Sequence, residues 1–287
     1  MNAAARPPFR HRLVNVFTDE ARLSGNALAV FEDGTGLTDT EMQAIALQLN
    51  LSETTFVFPS SVATAKVRIF TPTFEMPFAG HPTLGTAHVV RTLKSAGDAI
   101  TLEMRAGIIP VNAKGDTWTL QANAPRTRAP SATDAEIAAM LGLDARDVRG
   151  PTMWVDTGSE QLVVPLASVD AVDRCLADPR LLAKHGSNAM REGLAYVWAH
   201  EGDGRVVARF FFLKHGSLVE DPGTGSACAN LGGWHVATKA PLPVSIAVRQ
   251  GEHTGRPCRL GLRVDADARI FVTGEVIDVG SGEIVLA

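Results

Sequence analysis

A pattern typical of a strand, a turn and a helix occurs twice in this chain, about 140 residues apart. In the first copy, residues 68–90, a short apolar run enters a turn rich in Pro, Gly and His. The second copy covers residues 207–229 and places His81 opposite Asp221. The shift matches five further pairs: Phe70 with Phe210, Pro82 with Pro222, Gly85 with Gly225, Thr86 with Ser226 and Ala87 with Ala227. A doubled motif of this kind predicts two similar lobes with a functional site between them.

The bulk composition is that of a soluble globular protein. The chain has 287 residues, of which 45% are hydrophobic and 20% charged, so it is long enough for one large or two ordinary domains. Its formal net charge is −4, and its Lys and Arg residues are scattered. Because neither nucleic acid nor an anionic membrane attracts such a charge distribution, we expect no partner of either kind.

Targeting and membrane segments are not predicted. No apolar stretch of the sequence approaches the roughly 20 residues that span a bilayer. Residues 1–13 contain Arg, Pro and His but lack the apolar region of a signal peptide. Cys175, Cys228 and Cys258 are widely spaced and form no CxxC pair, which predicts reduced thiols without a disulfide or a zinc site. We therefore expect a cytoplasmic protein.

Two capping boxes mark the starts of predicted helices. In a capping box, a Ser or Thr side chain and a Glu side chain three residues later each accept a hydrogen bond from the other's backbone N–H. Thr38 with Glu41 and Thr133 with Glu136 both have this spacing. Asn50, at the end of the first of these helices, is a plausible C-cap.

Strands and a linker complete the predicted organisation. Runs rich in β-forming residues predict strands at residues 13–17, 27–31, 54–58, 66–71, 99–104, 108–112, 117–121 and 206–213. Residues 122–133 contain two prolines and no periodicity, so they are the best candidate for a linker. We therefore predict an N-terminal lobe over residues 1–125 and a C-terminal lobe over residues 126–287, with the last strand able to return to the first lobe.

Three ionisable side chains are candidates for proton transfer. Glu53 follows the first capped helix, where burial between helix and sheet would raise its pKa toward that of a proton shuttle; the alternative is a solvated charge. His81 precedes a helix that begins with Pro82, and the helix macrodipole favours a neutral imidazole there. The alternative is an ordinary core or surface histidine. Asp221 precedes a Gly-rich turn and is either an N-cap or a catalytic carboxylate.

The Gly-rich turn at residues 223–227 predicts an anion site. It offers backbone N–H groups and a hydroxyl at a helix start, which suits a carboxylate. Gly80 and Gly85 occupy the first copy of the turn, so Thr86 and Ser226 are predicted to be equivalent hydroxyls. The turn is not a dinucleotide fingerprint, because a cysteine stands where the third glycine is required. Since the remaining histidines lack metal-ligand spacing and no nucleotide or hydrolase motif occurs, we predict neither metal nor cofactor.

Four segments resemble the PhzF-like family of phenazine-biosynthesis isomerases. They are NLSETTFVFP at residues 50–59, RIFTPTFEMPFAGHPTLGTAH at residues 68–88, EDPGTGSACANL at residues 220–231 and QGEHTGRP at residues 250–257. A fifth segment, SGNALAVF, is similar to the family's GNPLAVF, with Ala27 in place of the usual proline. The matches occur in order from about residue 14 to the last strands, so the resemblance covers nearly the whole chain.

The resemblance implies a diaminopimelate-epimerase-like fold of the α+β class. Such a fold has two similar lobes, each a curved, mostly antiparallel sheet or barrel around a central helix, with a cleft between them. The resemblance also implies a homodimer without cofactor or metal. Epimerases of this fold use two opposed cysteines, whereas the corresponding turns here carry Gly80-His81 and Asp221-Pro222. Because Cys228 lies seven residues beyond Asp221, within the predicted helix, racemisation by two thiols is disfavoured.

The same resemblance assigns roles to individual residues. Glu53 is the general acid/base that moves a proton between two carbons of a cyclic dihydro-hydroxyanthranilate, and His81 and Asp221 orient the substrate and assist the enol–keto change. The implied substrate-binding residues are Gly80, Gly225, Ser226, Ser52 and Ala227. The physical argument agrees, because one carboxylate can serve both steps when the substrate is held against it and water is excluded.

Two alternatives stay open. One is an amino-acid-type racemase or epimerase, in which Glu53 works with His81 or Asp221 as a second base. The other is a non-catalytic binding protein that keeps the fold. The physiological substrate does not follow from the residues.

Overall fold

The computed structural model describes residues 6–202 and 204–286. Contacts between residues divide the chain into a first unit, Met1–Leu120 with Gly274–Ala287, and a second unit, Gln121–Thr273. The C-terminal residues thus return to the first unit. The division into lobes of residues 1–125 and 126–287 stays a prediction. Residues 1–5, where the segment considered as a signal peptide begins, lie outside the described residues.

The first unit is a mixed sheet with two helices. Its elements in chain order are β1 (Phe9–Val16), β2 (Asn26–Phe31), α1 (Asp39–Leu49), β3 (Glu53–Phe58), β4 (Ala65–Phe70), β5 (Glu75–Met76), α2 (Gly80–Leu93), β6 (Ala99–Met104), β7 (Gly107–Lys114) and β8 (Thr117–Gln121). The pairs β2–β3 and β4–β6 are parallel, and β1–β2, β3–β4, β4–β5, β6–β7 and β7–β8 are antiparallel. Residues 80–90 of α2 are all buried, so α2 is the central helix of this unit.

The second unit repeats this arrangement. Its elements are β9 (Arg126–Arg128), α3 (Asp134–Met140), a 3₁₀ turn (Ala145–Asp147), β10 (Met153–Asp156), β11 (Glu160–Pro165), α4 (Val169–Arg174), α5 (Pro179–His185), β12 (Leu194–Gly202), β13 (Arg205–Lys214), β14 (Ser217–Asp221), α6 (Gly225–Ala237), β15 (Val244–Gln250), a 3₁₀ turn (Glu252–Thr254), β16 (Cys258–Val264) and the first residues of β17 (Ile270–Ile284). From Gly274 onward β17 belongs to the first unit, where it pairs with β1. The pairs β11–β12 and β13–β15 are parallel, whereas β10–β11, β12–β13, β13–β14, β15–β16 and β16–β17 are antiparallel. Both units therefore have one topology, with α6 as the largely buried central helix of the second.

Matched ion pairs define the register of the repeat. In β4 and β5, the Arg68 guanidinium forms two hydrogen bonds of 2.8 Å to the Glu75 carboxylate. In β13 and β14, Arg209 binds Glu220 in the same bidentate way at 3.1 and 2.7 Å. Each arginine also lies over a phenylalanine two residues later in its strand, at 5.1 and 4.7 Å from the ring centroid. The strands therefore correspond at an offset of 141 residues, and the segments after the hairpin correspond at 145.

The single offset of 140 residues was therefore wrong. The β13–β14 hairpin is four residues longer than the β4–β5 hairpin, which one uniform shift of the sequence cannot represent. The central helices begin at Gly80 and Gly225, so the counterpart of His81 is Ser226, and the counterpart of Asp221 is Met76. Thr54 pairs with Phe70 in the sheet, as Ala195 pairs with Phe211, so the counterpart of Glu53 is Leu194.

The local helix signals agree with the structure, but the linker does not. Thr38 and Thr133 both form the predicted capping boxes, and Asn50 ends α1 in the left-handed conformation with φ of 51°. The expected linker over residues 122–133 contains β9, which pairs with β10. Its two prolines flank this short strand, where they interrupt no ladder hydrogen bond of a central strand.

Each unit has an apolar cluster between its peripheral helices and the sheet. In the first unit, Phe56 stacks on Phe31 and meets Phe70 edge to face, and these rings contact the apolar side of α1. In the second unit, the three helices α3, α4 and α5 cover a larger cluster on β11, β12 and β13. These clusters hold the strands that carry the candidate site residues.

Candidate active site

Glu53 and His81 lie in contact in the first unit. The left-handed Asn50 ends α1, and two residues later Glu53 begins β3 with a side chain that is 16% exposed. His81 is the second residue of α2, with a side chain that is 6% exposed. The distance between His81 Nδ1 and Glu53 Oε2 is 3.3 Å. Two candidate residues that are 28 positions apart in the sequence are thus brought together.

The His81 imidazole is neutral at neutral pH. Burial lowers the pKa of His81 to about 3, although a hydrogen bond with the backbone of Ala27 acts in the opposite direction. The 3.3 Å contact with Glu53 therefore joins a carboxylate to a neutral ring and is not an ion pair. Nε2 of His81 is buried and has no partner among the described residues. The sequence placed His81 before the helix, but it lies inside the first turn, where the positive end of the helix dipole further disfavours a charged ring.

Two other residues of α2 that the sequence singled out, Thr86 and Gly85, have structural roles. Thr86 is fully buried, and its hydroxyl lies 2.8 Å from the Thr55 hydroxyl. The predicted equivalence of Thr86 and Ser226 is wrong, because the helix starts pair Ser226 with His81. Gly85 allows α2 to approach the sheet, because a Cβ at this position would lie 2.6 Å from Leu28 Cδ2. Gly80 is the first residue of the helix, and its contact with a substrate stays a prediction.

Asp221 ends β14 in the second unit and is 8% exposed. The Thr224 hydroxyl donates a short hydrogen bond to Asp221 Oδ2. Gln250 Nε2 donates to the Asp221 main-chain carbonyl at 2.9 Å and to the Thr224 hydroxyl at 3.0 Å. Asp221 is not the N-cap of α6, because Thr224 occupies that position. These contacts hold the carboxylate against the turn that opens the helix.

Sequence reasoning missed Gln250 and Thr224 as supports of Asp221. The sequence did contain a signal for Gln250, because this residue begins QGEHTGRP, one of the segments that resemble the family. Gly251, the second residue of that segment, has φ of +91°, and a Cβ there would lie 2.5 Å from the carbonyl oxygen of Pro222. The motif therefore packs against the loop that follows Asp221 and fixes its path.

Ser226 is the second residue of α6, and its hydroxyl accepts a hydrogen bond of 2.9 Å from Gln161 Nε2. Gly225 before it leaves the helix start without a side chain, which suits the approach of an anion to backbone N–H groups. Ala227 is fully buried, and Ser52 is partly buried in the turn before β3. Binding of substrate by these residues stays a prediction.

The three cysteines are protonated thiols, and the described residues form no metal-binding cluster. Burial raises the pKa of all three thiols, that of Cys175 to about 12, so each is protonated at neutral pH. In residues 6–202 and 204–286, no group of three or more His, Cys, Asp and Glu side chains is placed to hold a metal ion. None of the helices in that part of the chain has the length and apolar character needed to cross a membrane.

Comparison with known proteins identifies the family. A family model described as "Phenazine biosynthesis-like protein", PhzC-PhzF, matches residues 14–282. This chain belongs to the PhzC-PhzF family. A Pasteurella multocida protein named as an uncharacterized isomerase is 40% identical to it, over 96% of this chain and 94% of the relative. A trans-2,3-dihydro-3-hydroxyanthranilate isomerase of Pseudomonas chlororaphis is 33% identical, over 93% of this chain and 96% of the relative.

A solved structure shares the fold of this PhzC-PhzF protein. The crystal structure of a PhzF-family protein from Bacillus anthracis superposes with a TM-score of 0.86 at 24% identity, and it covers 98% of this chain and 100% of that chain. The expected α+β class with two similar units, each built on a central helix, is confirmed. The resemblance stated from the motifs is also confirmed, and the chain is an isomerase of the PhzC-PhzF family.

Proposed function

We propose that this isomerase moves a proton within a small carboxylated cyclic or enolisable substrate, with Glu53 as the general acid/base and no cofactor. The observation that carries the proposal is the 3.3 Å contact between Glu53 Oε2 and Nδ1 of the buried His81. A carboxylate at the start of a buried strand, next to a neutral imidazole, is screened little by water. Such a base can accept a proton from one carbon and return it to a neighbouring carbon.

His81 has an orienting role in this proposal. A neutral imidazole has one N–H and one lone pair. Because Nε2 has no partner among the described residues, the hydrogen bond with the Ala27 backbone assigns the proton to Nδ1. Nε2 then carries the lone pair and can accept a hydrogen bond from an enol hydroxyl. Asp221, whose position is fixed by Thr224 and Gln250, is the proposed acceptor for a further polar hydrogen of the substrate.

The start of α6 and the name of one relative support a carboxylated substrate. The first residues of α6 present Gly225 and Ser226, and a helix N-terminus favours an anion such as a carboxylate. A relative 33% identical to this chain is named for trans-2,3-dihydro-3-hydroxyanthranilate, which is a carboxylated ring. We therefore propose a substrate similar to trans-2,3-dihydro-3-hydroxyanthranilate.

The register of the repeat favours an isomerase over a racemase with two matched bases. Such a racemase is expected to carry equivalent bases at equivalent positions of its two similar units. Here Glu53 corresponds to Leu194, His81 to Ser226 and Asp221 to Met76. None of the three acid/base groups therefore has an acid/base group at the equivalent position of the other unit. This asymmetry suits a mechanism in which one base serves both proton steps. A non-catalytic binding protein would have no need for the buried contact between Glu53 and His81.

The test is the Glu53→Gln variant assayed in deuterated water. We expect wild-type protein to place deuterium at a new carbon of trans-2,3-dihydro-3-hydroxyanthranilate, and the variant to lower kcat by about 10²- to 10⁴-fold. Glu20→Gln, at an exposed position, is the matched control and should leave kcat unchanged. Deuterium at a stereocentre with inversion would support the epimerase alternative, and unchanged turnover by Glu53→Gln would refute the role of Glu53.

We also propose a cytoplasmic homodimer, as the resemblance implies. Light scattering coupled to size-exclusion chromatography tests the oligomeric state, and a mass of about one chain, 30.5 kDa, would contradict the dimer.

A further inference from the structure

A chain of buried amide groups leads to the Ser226 hydroxyl in the second unit. The Thr157 backbone N–H donates to Asn230 Oδ1 at 3.0 Å. Asn230 Nδ2 in turn donates to the Ser159 carbonyl oxygen at 2.8 Å and to Gln161 Oε1 at 2.7 Å. Gln161 Nε2 then donates to Ser226 Oγ at 2.9 Å. Asn230 is fully buried and Gln161 is 1% exposed, so water does not compete for these bonds.

The backbone groups at one end fix the direction of the whole chain. A backbone N–H can only donate and a backbone carbonyl can only accept, so the amide oxygen of Asn230 faces Thr157 and its nitrogen faces Ser159. The Gln161 oxygen must then accept from Asn230, which turns the Gln161 nitrogen toward Ser226. Because Ser226 Oγ already receives this hydrogen, the hydroxyl's own hydrogen is available for another acceptor.

The first unit shows that the fold does not require these amides. By the register of the repeat, the counterpart of Asn230 is Gly85, and the sheet pairings make Leu28 the counterpart of Gln161. Leu28 packs directly on Gly85, so the first unit has an apolar contact where the second has the amide pair. Burying two amides is costly unless each is hydrogen-bonded. Their presence in the unit whose helix begins with Gly225 and Ser226 therefore points to a role at Ser226.

We propose that Gln161, held by Asn230, is a positioning residue that makes Ser226 a hydrogen-bond donor to a carboxylate of the substrate. The Ser226 hydroxyl at the start of α6 then selects an anionic oxygen and disfavours a group that must itself donate, such as an ammonium. This inference rests on the proposed function and adds the residue that sets the polarity of its carboxylate subsite.

The experiment measures binding of two probes by calorimetry, 3-hydroxyanthranilate and 2-aminophenol, which lacks the carboxylate. A hydrogen bond to a charged group corresponds to about 10-fold or more in affinity. We expect Ser226→Ala to weaken 3-hydroxyanthranilate binding by about 10-fold and Gln161→Leu to weaken it by about 5-fold. Binding of 2-aminophenol should change less than about 2-fold in both variants. With substrate, the effect of Gln161→Leu should appear in KM more than in kcat.

A double-mutant cycle separates positioning from a purely structural role. If Gln161 acts through Ser226, Gln161→Leu should add nothing further in the Ser226→Ala background. The control Gln161→Leu/Asn230→Gly rebuilds the packing of the first unit, and it should fold while binding 3-hydroxyanthranilate as weakly as Gln161→Leu. The proposal would be overturned if Gln161→Leu weakened binding of 3-hydroxyanthranilate equally with and without the Ser226 hydroxyl. It would also be overturned if Gln161→Leu weakened binding of the two probes equally.

A measurement without ligand distinguishes this inference from the proposed function. The protected side-chain amide resonances of Gln161 should shift in Ser226→Ala, as recorded by ¹H–¹⁵N NMR. If wild-type protein binds neither probe, the proposed substrate class fails, and an unshifted Gln161 resonance in Ser226→Ala then overturns the positioning role as well. If wild-type protein binds and only the Gln161 variants behave as wild type, this inference fails while the proposed function stands.

Discussion

Protonation of His81 should destabilise the folded protein at mildly acidic pH. Burial lowers the pKa of His81 to about 3, whereas an exposed histidine in the unfolded chain titrates near 6.5. As the pH falls below about 6.5, the unfolded state therefore binds a proton that the folded state does not. The stability that depends on a neutral His81 is present above this pH and is lost progressively down to about pH 3.

The size of the effect follows from the two pKa values. Each pH unit between them removes about 1.4 kcal/mol, so His81 lowers the free energy of unfolding by about 2 kcal/mol between pH 7 and pH 5. The variant His81→Asn keeps a polar side chain that does not titrate. We expect the stability of wild type relative to this variant to fall by about 2 kcal/mol over the same interval.

Urea denaturation at pH 7 and pH 5, followed by circular dichroism, measures this difference. Other titrating groups contribute to both proteins and cancel in the comparison, including His235, whose pKa burial lowers to about 4. NMR titration of the His81 ring provides the direct check. A stability difference that does not change between pH 7 and pH 5 would refute the reasoning, because it would mean that attraction by the Glu53 carboxylate balances the cost of burying a charged ring.

Two glycine substitutions test the packing that supports the site. Gly85→Ala should lower the free energy of unfolding by about 1–3 kcal/mol in urea denaturation, because the added Cβ would lie 2.6 Å from Leu28 and 2.9 Å from Val16, and this overpacking exceeds the gain in helix propensity. Gly251→Ala should destabilise the protein and weaken 3-hydroxyanthranilate binding about 10-fold in calorimetry, because its Cβ would lie 2.5 Å from the Pro222 carbonyl oxygen and displace the loop after Asp221.

Each substitution has a matched control. Gly97 has no atom within 4 Å of an added Cβ, so Gly97→Ala should be neutral or slightly stabilising. Gly255 also faces open space but has φ of +71°, so Gly255→Ala should cost only backbone strain, about 1–2 kcal/mol, with unchanged ligand binding. Equal losses for Gly85→Ala and Gly97→Ala, or for Gly251→Ala and Gly255→Ala, would contradict the packing argument.

Local signals in the sequence determined much of the secondary structure and the candidate residues. The capping boxes at Thr38 and Thr133 involve groups three residues apart, so they form wherever the helix forms. Glu53, His81 and Asp221 could be singled out because each lies beside a helix end or turn whose residues are contiguous in the chain. Family motifs such as EDPGTGSACANL extend this local information to the expected fold.

Only the tertiary structure decided which of these groups meet and how they are held. The contact between Glu53 and His81 depends on the register of β3 and the position of α2, and the amide chain joins Gln161 to Asn230 across 69 residues. Because the β13–β14 hairpin is four residues longer than the β4–β5 hairpin, the two copies correspond at two sequence offsets, one before the hairpin and one after it. The structural counterpart of His81 is therefore Ser226 and not Asp221. Strand pairing depends on packing between segments that are distant in the sequence, so the motif spacing alone did not reveal that the two hairpins differ in length.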